Sequence, residues 1–293
     1  MKIIDLMRKA STPFYSLEFF PPKDRAQWPA FMEVAGKLKA LNPLFVSVTY
    51  GAGGSSHENT LEIAGSLKEE CGYIPMTHLT CVGADADNIR KYLISLRACG
   101  IDNILALRGD APIAKPGTPV FDWAAGKFKF AADLVGFVRR EFQDFGIGVA
   151  GYPSPHPESP TLEMDRAYTK NKLDAGSDFV VTQLFFDVRE YIDLVRSLRL
   201  LGVEKPVIPG ILPIQSFDSL RHVLALCGAN IPAKLYISLE EADKRGGQEA
   251  VREAGIRFAA EQIRRLVDAG APGIHLYTLN KAEICLRLAE AAG

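Results

Sequence analysis

Cysteine is scarce and scattered in this chain of 293 residues: Cys71, Cys81, Cys99, Cys227 and Cys285 are odd in number and form no CxxC pair. That argues against a disulfide framework or a zinc site and fits a reducing cytoplasm. Charge of one sign is lacking too. Against 35 Asp and Glu stand 34 Lys and Arg, a net charge of -1, so no basic field exists to draw nucleic acid or an anionic membrane, and partners belong at a local site. No run approaches the ~18 to 20 apolar residues that span a bilayer. Near the N-terminus Asp5, Arg8 and Lys9 interrupt the short apolar stretch before a signal-peptide core forms. A soluble, unexported protein is expected. Fixed-period repeats, low-complexity tracts and an interdomain linker are also missing. With 47% hydrophobic and 24% charged residues, the composition excludes wholesale disorder and a fibrous protein.

What is present is alternation. Short β-branched or aromatic runs alternate with longer segments at helical spacing. The strand-like runs are Phe14 to Phe20, Leu44 to Tyr50, Met76 to Val82, Asn103 to Arg108, Gly148 to Tyr152, Phe179 to Phe186, Pro206 to Leu212 and Gly273 to Leu279. Amphipathic stretches such as Trp28 to Leu41, Asp87 to Ala98, Ala131 to Phe145 and Tyr191 to Leu201 lie between them. Gly72, Gly100, Gly146, Gly176, Gly202 and Gly228 read as helix C-caps. The arithmetic predicts an α/β fold, a single (β/α)8 TIM barrel over residues 1–293, since such barrels usually need about 250 residues. A doubly wound sheet is the weaker reading, because the nearest thing to a GxGxxG fingerprint, Gly51-Ala52-Gly53-Gly54, lacks the spacing. Two insertions exceed the barrel: a Pro- and Gly-rich loop, Ala111 to Lys129, and Ile231 to Asp268, with a helix-like stretch from Gln248 to Val267.

Barrel enzymes place their chemistry at strand C-terminal ends, and polar residues gather there: Glu18, Thr49 and Tyr50, His78 and Thr80, Arg108 and Asp110, Tyr152 and His156, Thr182 and Gln183, Tyr277 and Asn280. Strand seven is the exception, ending in Pro209-Gly210-Ile211-Leu212-Pro213. Glu18, within SLEFFPPK, is surrounded by apolar and aromatic residues, so burial is expected to raise its pKa toward that of a general acid. Its bland alternative is an edge ion pair with Lys23 or Arg25. Arg108-Gly109-Asp110 flanks a glycine that lets backbone approach a ligand, or forms a structural ion pair. A metal among His78, His156, Asp110 and Asp187 would imply a barrel lyase or hydrolase. It is disfavoured because the HxH pair of barrel metallohydrolases is missing, and no metal is expected. No GxSxG elbow points to a nucleophile. Gly51 to Gly54 is either an anion-binding turn or simply a tight turn.

The segments SLEFFPPK, FVSVTYGAGGSS, HLTC, LALRGD, GYPSPHPE, VTQLFFD, IPGILPI and LYTLNKAE resemble the methylenetetrahydrofolate reductase family, in order and along the whole chain. The resemblance implies a flavoprotein barrel that reduces 5,10-methylenetetrahydrofolate to 5-methyltetrahydrofolate in one-carbon metabolism, feeding methionine synthesis. Electrons from NADH or NADPH, with NADH favoured, would pass through FAD. By resemblance Glu18 matches the general acid that protonates N10, and Asp110 the aspartate beside flavin and pterin. Thr49, Tyr50, Ala52, His78, Arg108, Gly109, Asp110, Ala131, Tyr152, His156, Asp165 and Lys172 match FAD contacts. Gln183 matches a residue shared in turn by folate and nicotinamide, which implies ping-pong kinetics. Tyr168 and Asn171 replace an Asn and a basic residue at the FAD. Ser219 and Val223 replace a Gln and a Phe, and Lys281 an Arg, at the folate. The resemblance further implies a cytoplasmic homo-oligomer, and the stop at Gly293 leads us to expect no S-adenosylmethionine-binding regulatory domain. A second reading is a folate- or flavin-binding barrel that has lost turnover; Glu18 and Asp110 argue against it.

Overall fold

All eight expected runs form strands, and each pairs in parallel with its sequence neighbours until the last closes on the first. The strands are β1 (Phe14–Phe19), β2 (Phe45–Val48), β3 (Pro75–Thr80), β4 (Asn103–Leu107), β5 (Gly146–Gly151), β6 (Phe179–Leu184), β7 (Val207–Ile211) and β8 (Gly273–Tyr277). This computed structural model describes residues 1–50, 57–110 and 126–293. Its helices are α1 (Ile3–Lys9), α2 (Trp28–Leu38), α3 (His57–Cys71), α4 (Ala86–Ala98), α5 (Ala131–Glu141), α6 (Leu162–Asp174), α7 (Val188–Leu200), α8 (Phe217–Cys227), α9 (Ala233–Asp268) and α10 (Ala282–Ala292). The closed barrel with interleaved helices is the expected (β/α)8 architecture. Among the described residues no helix is long and apolar enough to cross a membrane.

Period-two alternation divides each strand between two environments. Leu17, Phe19, Val46, Val48, Ile104, Ala106, Ile147 and Val149 pack outward into the layer shared with the helices. Phe45, Met76, Leu105, Phe179, Val181 and Ile208 form a separate cluster with Ile3, Ile4 and Met7 of α1. The first helix is therefore a plug at the N-terminal end of the barrel. Asn103, the first residue of β4, holds it there: its Oδ1 accepts from Ile3 N at 2.8 Å and its Nδ2 donates to Met1 O at 3.0 Å. Sequence periodicity did not reveal this plug, because seven residues are too few for a helical stripe to stand out.

Two expectations are corrected. Gly146 does not cap α5 but opens β5, opposite Asn103. The insertion before β8 is helical far beyond Gln248 to Val267. It is α9, two limbs joined at Gly246–Gly247, where φ of Gly247 is 58°. Glycine in both positions masked the first limb. With α8, the two limbs cover a third apolar cluster that includes Phe186, Phe217, Leu235, Leu239 and Val251. Of the loop Ala111 to Lys129, residues 111–125 lie outside the described residues.

Replacing Asn103 by Ala leaves the buried Ile3 N–H without its acceptor. We expect Asn103→Ala to lower unfolding free energy by about 1–3 kcal/mol, measured by urea denaturation. An unchanged urea midpoint would contradict this account of the plug.

Candidate active site

The C-terminal strand ends surround a cavity of about 600 Å³, lined among others by Glu18, His78, Leu107, Arg108, Gly109, Asp110, Ala131, Tyr152, His156, Asp165, Lys172, Gln183 and Tyr277. Its size is that of a small-molecule site. A broader groove of about 980 Å³ along α5, lined by Lys127, Lys129, Arg139 and Arg140, touches none of these strand ends. The chemistry-bearing residues favour the smaller cavity.

Glu18 is 6% exposed. Ser47 Oγ donates to its Oε2 at 3.2 Å, while His78 Nε2 lies 3.2 Å and His275 Nε2 3.6 Å from the same oxygen. The His78 contact is not aligned as a hydrogen bond, and Nε2 has no such partner among the described residues. The expected rise of the Glu18 pKa is overturned. Burial pushes it up, but the charges and close approach of His78 and His275 together bring it down to about 2. Sequence context showed the apolar neighbours but not the two histidines that the barrel brings across its bore. Pairing with Arg25 is excluded as well, since that guanidinium binds Glu62. The carbonyl of Glu18 accepts from Thr278 Oγ1 at 2.6 Å, and Asn280 exchanges two hydrogen bonds with Phe20, so β8 pins the end of β1.

Around the rim, Arg108 makes a two-pronged pair with Glu158 at 2.6 and 3.1 Å. The anticipated structural pair with Asp110 is therefore not its principal contact. Gly109 sits at φ 85°, and a Cβ there would come within 2.7 Å of Val82, so the close turn requires glycine. Asp110 is exposed at the cavity edge.

Asp165, at the start of α6, shapes the loop after β5. Its Oδ2 accepts from His156 N at 3.0 Å and Ser159 Oγ at 2.9 Å. Tyr152 and His156 meet edge to face at 4.9 Å. Burial lowers the His156 pKa and raises that of Tyr152 to about 12. Lys172 is bonded to Ala150 O at 2.5 Å; burial, opposed by the charge of Asp165, brings its ammonium down to about 8. Gln183 binds its neighbour's amide through Oε1 at 2.9 Å. Ala131 opens α5 at the cavity wall. Thr49 and Tyr50 stand at the end of β2 but do not line the cavity, and Ala52 lies outside the described residues.

Sequence reasoning missed the polar layer beneath Glu18. Ser16, Ser47 and His275 are all fully buried. Ser16 Oγ lies 2.8 Å from His275 Nδ1, and Ser47 Oγ 3.4 Å from Nε2. The signal was available in GIHLY: alternation puts His275 on the same face as Tyr277. Gly210 explains the bland end of β7, because a Cβ there would come within 2.7 Å of the Tyr277 ring. Tyr277 crosses this gap to donate to Thr182 O at 2.7 Å.

The family model described as methylenetetrahydrofolate reductase matches residues 2–293. A 5,10-methylenetetrahydrofolate reductase of Salmonella typhimurium is 34% identical over 279 residues, 95% of this chain and 90% of that protein. Methylenetetrahydrofolate reductase (NADH) 1 of Arabidopsis thaliana is 37% identical over 96% of this chain but 49% of its own length. The chain thus spans about half the length of the plant relatives it matches. A Clostridium thermocellum protein that binds two copies of 5-methyl-5,6,7,8-tetrahydrofolic acid shares the fold, with a TM-score of 0.66 at 14% identity over 99% of this chain and 98% of that one. With a family model covering nearly every residue and a bacterial relative matched along most of both lengths, the chain belongs to the methylenetetrahydrofolate reductase family.

Proposed function

We propose that the protein reduces 5,10-methylenetetrahydrofolate to 5-methyltetrahydrofolate at the expense of NADH, with FAD bound in the cavity. The observation that carries this reading is Glu18, a buried carboxyl on the cavity wall whose oxygens meet no backbone donor among the described residues and have two imidazoles beside them. Asp165, the other buried carboxyl lining the cavity among the described residues, is already engaged by its loop.

The wall suits a flavin dinucleotide. His78 Nε2, Asp165 Oδ1 and Thr169 Oγ1 are buried without hydrogen-bond partners among the described residues, and all three residues line the cavity. Such atoms call for a polar ligand or water. Arg108 and Lys172 contribute positive charge, and Tyr152, His156 and Tyr168 contribute ring faces. When bound, FAD supplies the two-electron carrier between nicotinamide and folate.

The chain's own task is the proton. The methylene carbon bridges N5 and N10 in a stable ring. Glu18 delivers a proton to N10, the carbon–N10 bond breaks with its electron pair going to N10, and the 5-iminium cation left behind is the hydride acceptor. The carboxylate of Asp110 at the rim favours that cation electrostatically. Gln183, with its carbonyl oxygen occupied, turns its amide donors to folate or nicotinamide in turn. Ser219 offers the folate no comparable group, because its hydroxyl is spent in the reciprocal cap of α8 with Ser216.

Glu18→Gln keeps shape and removes the proton. We expect NADH oxidation by a quinone acceptor to stay within roughly tenfold of wild type, while folate reduction falls by ~10² to 10⁴. Steady-state assays with each acceptor measure the split, and equal losses in both would refute the proton-donor role. Purified protein without flavin absorbance would refute the cofactor assignment.

Lys172 makes cofactor affinity depend on pH. Its ammonium is charged below about 8 and neutral above, and an anionic dinucleotide prefers the charged form. Affinity of the apoprotein for FAD should therefore weaken as pH rises through about 8. Lys172→Met should bind more weakly below that pH and show a flatter dependence. Flavin fluorescence titrations across this range test the sign; affinity that strengthens with pH would exclude it.

A further inference from the structure

If Glu18 delivers a proton to N10, the proton must first reach a carboxylate that is ionised in the unliganded protein. The nearest solvent path is the cavity itself, which substrate fills. Behind Glu18, however, a continuous chain of donors and acceptors runs down the barrel bore.

Ser16 Oγ lies 3.4 Å from Ile274 O and 2.8 Å from His275 Nδ1. His275 Nε2 lies 3.4 Å from Ser47 Oγ, which donates to Glu18 Oε2 at 3.2 Å. The hydroxyl proton of Ser47 is thus committed to Glu18, so Ser47 must accept from His275, and Nε2 carries hydrogen. Ser16 accommodates hydrogen on Nδ1 too, because its own proton has the Ile274 carbonyl as acceptor.

The ring is sealed from water. It is 0% exposed, stacks on Phe45 at 6.0 Å and meets Tyr277 edge-on at 5.4 Å. The titratable groups facing it are Glu18 from β1, His78 from β3 across Glu18, and Tyr277 from its own strand. β2 presents Ser47 and Phe45, and β7 presents Gly210 in register with it.

We infer that His275 is the proton store for Glu18, a positioning residue that acts through Ser47 and never touches substrate. This inference rests on the proposed folate reduction. At rest His275 is imidazolium and Glu18 carboxylate. When Glu18 must act, the Nε2–H bond breaks and its proton passes to Ser47 Oγ, while the original Ser47 proton passes to Glu18 Oε2. A neutral imidazole with hydrogen on Nδ1 and a carboxylic acid remain, with no change of redox state. After Glu18 has protonated N10 and product has left, solvent recharges the carboxylate and the transfer runs backwards. His78 does not fill this role, since its contact with Oε2 lacks hydrogen-bond alignment and its ring faces the cavity.

The test joins kinetics to a measurement that needs no turnover. In His275→Gln and, independently, Ser47→Ala, folate-dependent turnover should fall roughly 10²-fold, while quinone-linked NADH oxidation stays within about threefold. The alkaline fall of the folate rate should move to lower pH, because Glu18 then draws its proton from bulk solvent. In ¹⁵N-histidine spectra of the unliganded protein at neutral pH, both nitrogens of His275 should carry hydrogen, and in Glu18→Gln only one. Wild-type spectra with one hydrogen on His275 would overturn the store, as would variants that keep the wild-type folate rate and pH profile. Doubly protonated His275 in a wild-type protein that reduces no folate would support the shared proton and defeat the folate reading alone. Should His275→Gln fail to fold, Ser47→Ala and the wild-type spectra still decide.

Discussion

A carboxylate removed from water inside a barrel must be compensated or it discharges, since burying an isolated ion costs several kcal/mol even after relaxation. Glu18 meets that condition through a hydroxyl from β2 and imidazoles from β3 and β8. Much else in the barrel follows. The register that sets Ser16 opposite His275 and Glu18 opposite Tyr277 fixes the polar layer. Gly210 clears the space into which Tyr277 leans, and Phe45 and Phe179 shut the layer off from the plugged end.

The architecture was legible because it is local. Each strand announces itself over four to six residues, and the polar residues at the ends of those runs can be read without knowing where the strands lie. Glu18, His78, Arg108, Asp110, Tyr152, His156, Gln183 and Tyr277 stand out this way and converge on one cavity, whereas Asp165 and Lys172, both on α6, were reached only through the family resemblance. The sign of the Glu18 pKa shift was not legible, because its decisive neighbours come from other strands and their distances follow from barrel closure. His275 was overlooked for a related reason: a histidine in mid-strand reads as a packed residue until the inward face is known. The first limb of α9 and the plug α1 were hidden by a glycine pair and by brevity.

The positions at which the family resemblance implied substitutions divide by place. Tyr168 and Asn171 line the cavity, so their chemistry bears on what the cavity holds. Ser219 lies away from it, its hydroxyl absorbed by helix capping. A substitution at a ligand-facing position thus has different consequences depending on whether the new side chain is left available or is consumed by its own helix.

The polar layer also orders the assembly of the protein in time. Glu18 lies on the first strand and His275 on the last, so ribosomal synthesis exposes the acid long before the base that stabilises it. Until β8 docks between β7 and β1, the barrel is an open sheet with unpaired edges, and Glu18 lacks one of its two imidazoles. Completion of the polar layer and closure of the sheet are therefore one event. A misdocked last strand leaves both the barrel open and Glu18 without its imidazole from β8.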